Sequence, residues 1–284
     1  MSTQVPNKVG IKDVVRGAVK MVPDLPNMVR HVPGMIVRPP AAKRTIGQIF
    51  AKLAADHPDR PFIRSHGETL TYGEVNRQVN RYAAVLAGRG VGTGDVVGIL
   101  AKNSPTDLMI ILATLKLGAV AGMLNYNQRG EVIDHSMKLL GGKALIYDPE
   151  CIEAYESISP DRLPEHVLDY PALDTAAEGK SEENPAVTKT LPASTLAFYI
   201  FTSGTTGLPK ASVMSHNRWL ANHDGIGGLA VRLRSSDTMY VALPLYHNNA
   251  LSVSLGAVLA AGACIAISKQ FSASRFWDEI IENR

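Results

Sequence analysis

The sequence predicts an α/β fold of stacked, mainly parallel sheets flanked by helices. Three observations carry that prediction. Short apolar runs rich in Val, Ile and Ala recur along the chain and alternate with longer amphipathic stretches. Turn residues separate the two, as in Gly90-Val91-Gly92-Thr93-Gly94-Asp95. The apolar runs lack the polar alternation of a half-exposed strand, so both their faces are buried, as in a parallel sheet covered by helices.

The elements follow in order. In the lead segment, residues 1–42, Ile11, Val14, Val15, Ala18 and Met21 fall on one helical face, with Lys8, Lys12, Arg16 and Lys20 on the other. Pro23 ends that run, and a second apolar set, Leu25, Met28, Val29 and Val32, lies between Pro26 and Pro33. A basic amphipathic helix can lie on an anionic membrane surface or dock on the protein's own body, and both readings stand.

Residues 43–190 read as a first α/β subdomain. The pattern is helical over 45–56, extended over 61–64, a turn and strand edge over 67–72, and helical over 73–89. Residues 96–100 form a buried strand. Asn103 or Ser104 caps the next helix, with Pro105 in its first turn, where proline is tolerated. That helix stops at Gly118, and a strand over 119–124 and a helix over 130–140 follow. Gly141-Gly142 breaks the helix before a strand over 144–147. Residues 172–194 are polar, with Pro185 and Pro192, and read as a surface connection.

Residues 191–284 form a second, incomplete subdomain. A strand over 196–201 enters a loop, and Ala211-Ser212-Val213-Met214 is a second strand. A helix over 217–227, a strand over 239–243, a loop over 244–249, an uncharged helix from Ala250 and a strand from Ala263 follow. Ser274 is expected to cap a last helix through Phe276, Trp277, Ile280 and Ile281. The pattern then stops with no C-cap and no returning strand, as in an incomplete domain.

Composition narrows the function. Cys151 and Cys264 are too few and too far apart for a disulfide framework, which fits a reducing cytoplasm. Pro6, Lys8 and Lys12 stand where a signal peptide would need an apolar core. The uncharged stretch 250–268 is interrupted by Gly256, Gly262 and serines, so it reads as a buried helix and strand rather than a span. The net charge is +3, and residues 1–40 carry +4 of it, leaving −1 for the rest. That excludes a broad nucleic-acid footprint on the main body.

The most informative segment is Thr202-Ser203-Gly204-Thr205-Thr206-Gly207-Leu208-Pro209-Lys210, set between the two strands. It offers an anion free backbone N–H groups, close approach at the glycines, hydroxyl donors and one lysine. No helix follows it, so it differs from the G-x-x-x-x-G-K-[ST] loop and reads as a hairpin-like flap over phosphates. Lys210 can alternatively shape the flap through an ion pair. His247 follows an apolar strand, beyond whose carboxyl end ligands bind in open α/β sheets. His216 with Asn217 is explained by capping the next helix. His57, His66, His135, His166 and His223 show no ligand spacing, and neither they nor the cysteines compose a metal site.

These residues resemble the phosphate-binding signature of the adenylate-forming enzymes: acyl-CoA synthetases, luciferases and peptide-synthetase adenylation domains. The fatty-acid transport protein and very-long-chain acyl-CoA synthetase branch is the nearer likeness. Ala211, the segment Leu243-Pro244-Leu245-Tyr246-His247-Asn248-Asn249 and the segment Phe271-Ser272-Ala273-Ser274-Arg275-Phe276-Trp277-Asp278 carry it. The likeness runs from about Thr45 to the last residue. It implies that Thr202, Ser203, Gly204, Thr205, Thr206 and Gly207 bind ATP phosphates, with Lys210 supplying charge. It also implies that His247 orients or polarises an acyl carboxylate, though Asn248 and Asn249 depart from the usual pattern. Asn125-Tyr126-Asn127 resembles a family turn and is assigned structure rather than catalysis. The uncharged helix over 250–261 could line an acyl tunnel, and a core helix would look the same.

The implied parent is a fatty-acid–CoA ligase using ATP, Mg²⁺, coenzyme A and a long or very long fatty acid. Two alternatives stand: a fatty acid–AMP ligase loading a carrier protein, or a non-catalytic, membrane-associated fatty-acid or nucleotide-binding module. The family's later motifs are not among these residues: an aromatic-x-x-Thr/Ser-Glu segment for adenine and magnesium, a ribose-binding Asp, a hinge and a catalytic Lys. The chain thus reads as an N-terminal fragment, inactive alone and cytoplasmic, and residues 1–40 leave two readings open: peripheral contact with the inner face of the membrane, or docking on the body.

Overall fold

The computed structural model describes residues 10–202 and 207–283. The lead folds as α1 (Ile11–Met21), one tight turn (Val22–Asp24) and α2 (Leu25–Ile36). α1 buries none of its residues, whereas His31 on α2 is buried. The two halves of the lead therefore differ: α2 docks and α1 does not. Pro33 sits inside α2, in its last turn.

Thr45 starts the body. Its hydroxyl accepts from Gln48 N, and the Gln48 side chain takes the Thr45 N–H, a reciprocal cap for α3 (Ile46–Asp56). β1 (Pro61–Ser65) and β2 (Glu68–Thr71) pair as a hairpin, and Thr71 with Glu74 repeats the cap at α4 (Tyr72–Gly88). Then come β3 (Val96–Leu100), α5 (Pro105–Lys116), β4 (Val120–Leu124) and α6 (Glu131–Leu140). β5 (Ala144–Tyr147), α7 (Ile152–Glu156), β6 (His166–Asp169) and α8 (Tyr170–Ala177) follow. The final run is β7 (Leu196–Thr202), β8 (Lys210–Ser215), α9 (His216–Asn222), a π-helix (His223–Val231) and β9 (Thr238–Val241). A second π-helix (Asn249–Ser254), α10 (Leu255–Ala261), β10 (Cys264–Ile267) and α11 (Phe276–Glu282) end it.

Two sheets result. One runs β6-β5-β3-β4-β7-β8, parallel except for the β7–β8 hairpin. The other runs β2-β1-β10-β9, parallel except for β1–β2. Each sheet takes strands from both sides of residue 190. Strand alternation gives the six-stranded sheet two apolar faces. Val97, Ile99, Ala121, Met123, Phe198 and Ile200 share a core with α3, α4, α5, α10 and the second sheet. Val96, Leu100, Val120, Leu124 and Phe201 pack with α6 and α7 on the other side. Tyr72 ties the first core together: it stacks on Phe62 at 4.4 Å and donates to Ala263 O at 2.8 Å. No helix among the described residues is long and apolar enough to cross a membrane.

Several expectations need correction at the level of elements. Residues 172–194 are only partly a connection, because 172–177 belong to α8 and Thr188, Leu191 and Ala193 are buried. The helix expected over 217–227 starts earlier and widens into the π-helix at His223. The uncharged helix also opens as a π-turn. Its α10 segment is core packing, buried from Leu255 to Ala260. Ser215, not His216, caps α9, accepting from Arg218 N at 3.3 Å. Arg275, rather than Ser274, stands at the start of α11, and Ser274 Oγ lies 3.1 Å from Ser272 Oγ instead.

Candidate active site

The flap sits at the end of the β7–β8 hairpin. Thr202 pairs with Lys210 across the strands, and its hydroxyl donates to Lys210 O at 3.5 Å. Gly207 has φ of +84°, a left-handed turn that a side chain would strain. Ser203, Gly204, Thr205 and Thr206 lie outside the described residues. Lys210 is exposed. His135 on α6 steadies the base of the flap, its Nε2 lying 3.1 Å from Pro209 O. Beside it opens a cleft of about 550 Å³, lined by Leu139, Tyr199, Leu208, Lys210 and Val213.

The strand next to β7 leads to the second half of the site. β4 pairs with β7 through Met123↔Ile200 and ends at Leu124, just before Tyr126 and Asn127. Tyr126 meets Tyr246 edge-on at 5.4 Å, and Asn127 Nδ2 donates to Tyr246 Oη at 3.5 Å. The Tyr246 and His247 rings lie 4.4 Å apart. His247 itself is exposed, and its N–H bonds Pro244 O at 3.0 Å. The following π-helix is fastened back to the hairpin: Ser252 Oγ lies 2.6 Å from Asn248 Oδ1 and 3.6 Å from Met214 Sδ. Trp219 Nε1 donates to Leu251 O at 2.8 Å. β7, which leads into the flap, and the His247 loop that follows β9 are thus linked through β4, Tyr126 and Tyr246. Sequence reasoning gave Tyr126 and Asn127 only a structural turn. Their contact with Tyr246 depends on strand order, which spacing does not show.

Two buried polar clusters lie away from this site. Arg44 grips Asp224 with both terminal nitrogens, at 2.6 and 2.7 Å. His223 Nδ1 and His31 Nδ1 stand 3.0 and 3.2 Å from Asp224 Oδ1. Burial alone would raise the Asp224 carboxyl, but hydrogen bonds from Arg44, His223 and His31 outweigh it and hold the group well below the carboxylate range. His31, His223 and Asp224 are close enough to hold a cation. Arg44 already occupies both carboxylate oxygens, so the cluster is an internal ion network that seats α2. Close packing of the lead on the π-helix demands glycine there: a Cβ at Gly228 would come within 2.3 Å of the His31 ring. In the second cluster, Lys116 Nζ donates to Asn80 Oδ1 at 2.7 Å, Asn184 Oδ1 at 2.6 Å and Asn76 Oδ1. Burial pushes its ammonium down to about 7.

With this geometry in hand, comparison with known proteins places the chain. The AMP-binding enzyme family model matches residues 50–284, and the chain belongs to that family. It is 47% identical over 274 residues to the medium/long-chain-fatty-acid–CoA ligase FadD6 of Mycobacterium tuberculosis, covering 96% of this chain and 46% of that protein. Long-chain fatty acid transport protein 2 of Rattus norvegicus is 36% identical over 282 residues, covering 92% of this chain and 44% of that protein. The chain spans about half the length of the curated relatives it matches. Among solved structures, ATP-bound MatB from Rhodopseudomonas palustris superposes with a TM-score of 0.72 at 26% identity, covering 83% of this chain and 48% of that one. The α/β class of stacked, mainly parallel sheets and the family likeness expected from the sequence are both borne out.

Proposed function

We propose that the chain is the N-terminal part of a fatty-acid–CoA ligase. The reaction joins a long or very long fatty acid to the α-phosphate of ATP, expels pyrophosphate, and passes the acyl group to coenzyme A. The observation that supports this most is that β7, which runs into the Thr202–Lys210 segment, lies beside β4, whose end carries Tyr126 and Asn127 against Tyr246 in the His247 loop. A carboxylate is a weak nucleophile approaching a polyanion, so the site must neutralise charge and align both groups. In this reading Thr202, Ser203, Gly204, Thr205, Thr206 and Gly207 hold the phosphates, and Lys210 adds a point charge. His247 orients the acyl carboxylate beside Tyr246. Mg²⁺ accompanies the ATP phosphates. The FadD6 relative, a fatty-acid–CoA ligase, supports coenzyme A over a carrier protein as acceptor, and ATP-bound MatB supports the nucleotide.

The site works in the cytoplasm, with residues 1–40 touching the inner face of the membrane. On α1, Ile11, Val14, Val15 and Val19 are exposed, with Lys12, Arg16 and Lys20 placed to meet anionic headgroups.

Isothermal titration tests the phosphate role. Lys210→Ala should weaken ATP about tenfold, the size of one lost charge-assisted contact, with palmitate affinity unchanged. Equal ATP affinity in the variant would overturn it.

A further inference from the structure

We propose that Asn103 is a positioning residue for the acyl-carboxylate end of the site, holding the loop that carries His247; this rests on the reading of His247 given above. Asn103 follows β3 of the six-stranded sheet, whereas the His247 loop follows β9 of the other sheet. Its side chain spans that gap. Nδ2 donates to Leu243 O at 2.9 Å and to Ser268 O at 3.1 Å, and Oδ1 accepts from Leu245 N at 2.7 Å. Both amide donors are used, and the residue is 5% exposed.

The gripped atoms are those that place the histidine. Leu243 and Leu245 flank Pro244, and Pro244 O accepts the His247 N–H at 3.0 Å. Ser268 lies just past β10, so one side chain joins the carboxyl ends of β3, β9 and β10, where ligands gather in open α/β sheets. Helix capping does not account for it, because Ser104 caps α5, accepting from Asp107 N at 3.0 Å. A buried amide serving three chain segments fixes their relative height. Losing its donors leaves two carbonyls without partners and lets the His247 turn move.

The variants separate this from mere stability. Asn103→Asp keeps the size and the acceptor but loses both donors, and Asn103→Ala loses all three bonds. Calorimetric titration of the 284-residue chain should show palmitate at least about tenfold weaker in both, with ATP within about twofold of the unsubstituted chain. Asn103→Gln, which keeps both donors, should recover part of the loss. Unchanged palmitate affinity overturns the proposal. So does parallel weakening of palmitate and ATP, or loss of the folded circular-dichroism spectrum in both variants, since either makes Asn103 a general stability residue. His247→Ala supplies the control. If it leaves palmitate affinity unchanged, the reading of His247 fails; if it weakens palmitate while the Asn103 variants do not, the clamp alone fails. No palmitate binding by the unsubstituted chain overturns both.

Discussion

His216 shows what burial does to a single residue. It is fully buried, its Nδ1 accepts from Ile46 N at 3.2 Å, and Nε2 has no partner among the described residues. Burial pushes its pKa down to about 3. An unfolded chain protonates this imidazole near pH 6.5, roughly the free value, while the folded chain holds it neutral. The unfolded state therefore binds more protons throughout that window, and stability falls as pH drops through it. Urea melts at pH 7 and pH 5 should show a loss approaching about 1.4 kcal/mol per pH unit below 6.5 from this group. His216→Asn, which keeps an acceptor toward Ile46, should flatten the profile; an unchanged slope would refute the assignment. Lys116 poses a related problem, a buried amine met by three asparagine amides and lying 5.2 Å from the centroid of the Phe50 ring. Lys116→Met strands three asparagine oxygens and should cost about 2–4 kcal/mol in chemical denaturation, whereas a loss below about 0.5 kcal/mol would contradict it. Neither role was legible in the sequence. His216 looked like part of a cap, and a lysine inside an apolar helix gives no sign of which distant amides will receive it.

At the scale of elements, capping was legible only in part. The reciprocal caps of Thr45 with Gln48 and Thr71 with Glu74 close both ends of a helix start but emerge in the structure. Ser104, one of two residues read as the start of α5, caps it from one side, with Pro105 in the first turn. Thr45→Ala should lower stability by about 1 kcal/mol in the same melts. The π-helices were not legible, because apolar residues spaced for an α-helix also fit a slightly wider turn. The glycines of His223–Val231 serve contact instead: a Cβ at Gly227 would lie 2.9 Å from Ala257 Cα, so this π-helix and α10 pack almost backbone to backbone. The lead helix was legible as amphipathic but ambiguous in partner. α2 is the docked part, and α1 is left with its apolar face exposed. Val14→Glu with Val15→Glu should therefore reduce co-sedimentation with anionic liposomes several-fold without shifting the melting temperature, since no core contact is lost. Unchanged liposome binding would remove the membrane role.

For the whole molecule, most strands were readable, the edge strand β6 was not, and strand order was not. The runs at 96–100 and 144–147 announced themselves by composition and match β3 and β5. Nothing local shows that β7 lies beside β4, or that β1 pairs with β10 some two hundred positions later, since such pairings are decided by tertiary packing. Those pairings bring the strand that enters the 202–210 segment beside the tyrosine turn that meets the His247 loop, which is what the proposed site requires. The sequence could therefore name the flap and His247 while giving Asn103 only a cap and Tyr126 and Asn127 only a turn, because their contacts with the His247 loop depend on strand order. The central claim is that the flap receives phosphates and the His247 loop receives the acyl carboxylate, side by side. Backbone and histidine NMR spectra of the chain, with ATP and palmitate added separately, test it most directly. The account predicts that ATP shifts the amides of residues 202–210 and that palmitate shifts His247 and Tyr246. Ligand-induced shifts that spare both segments would contradict it.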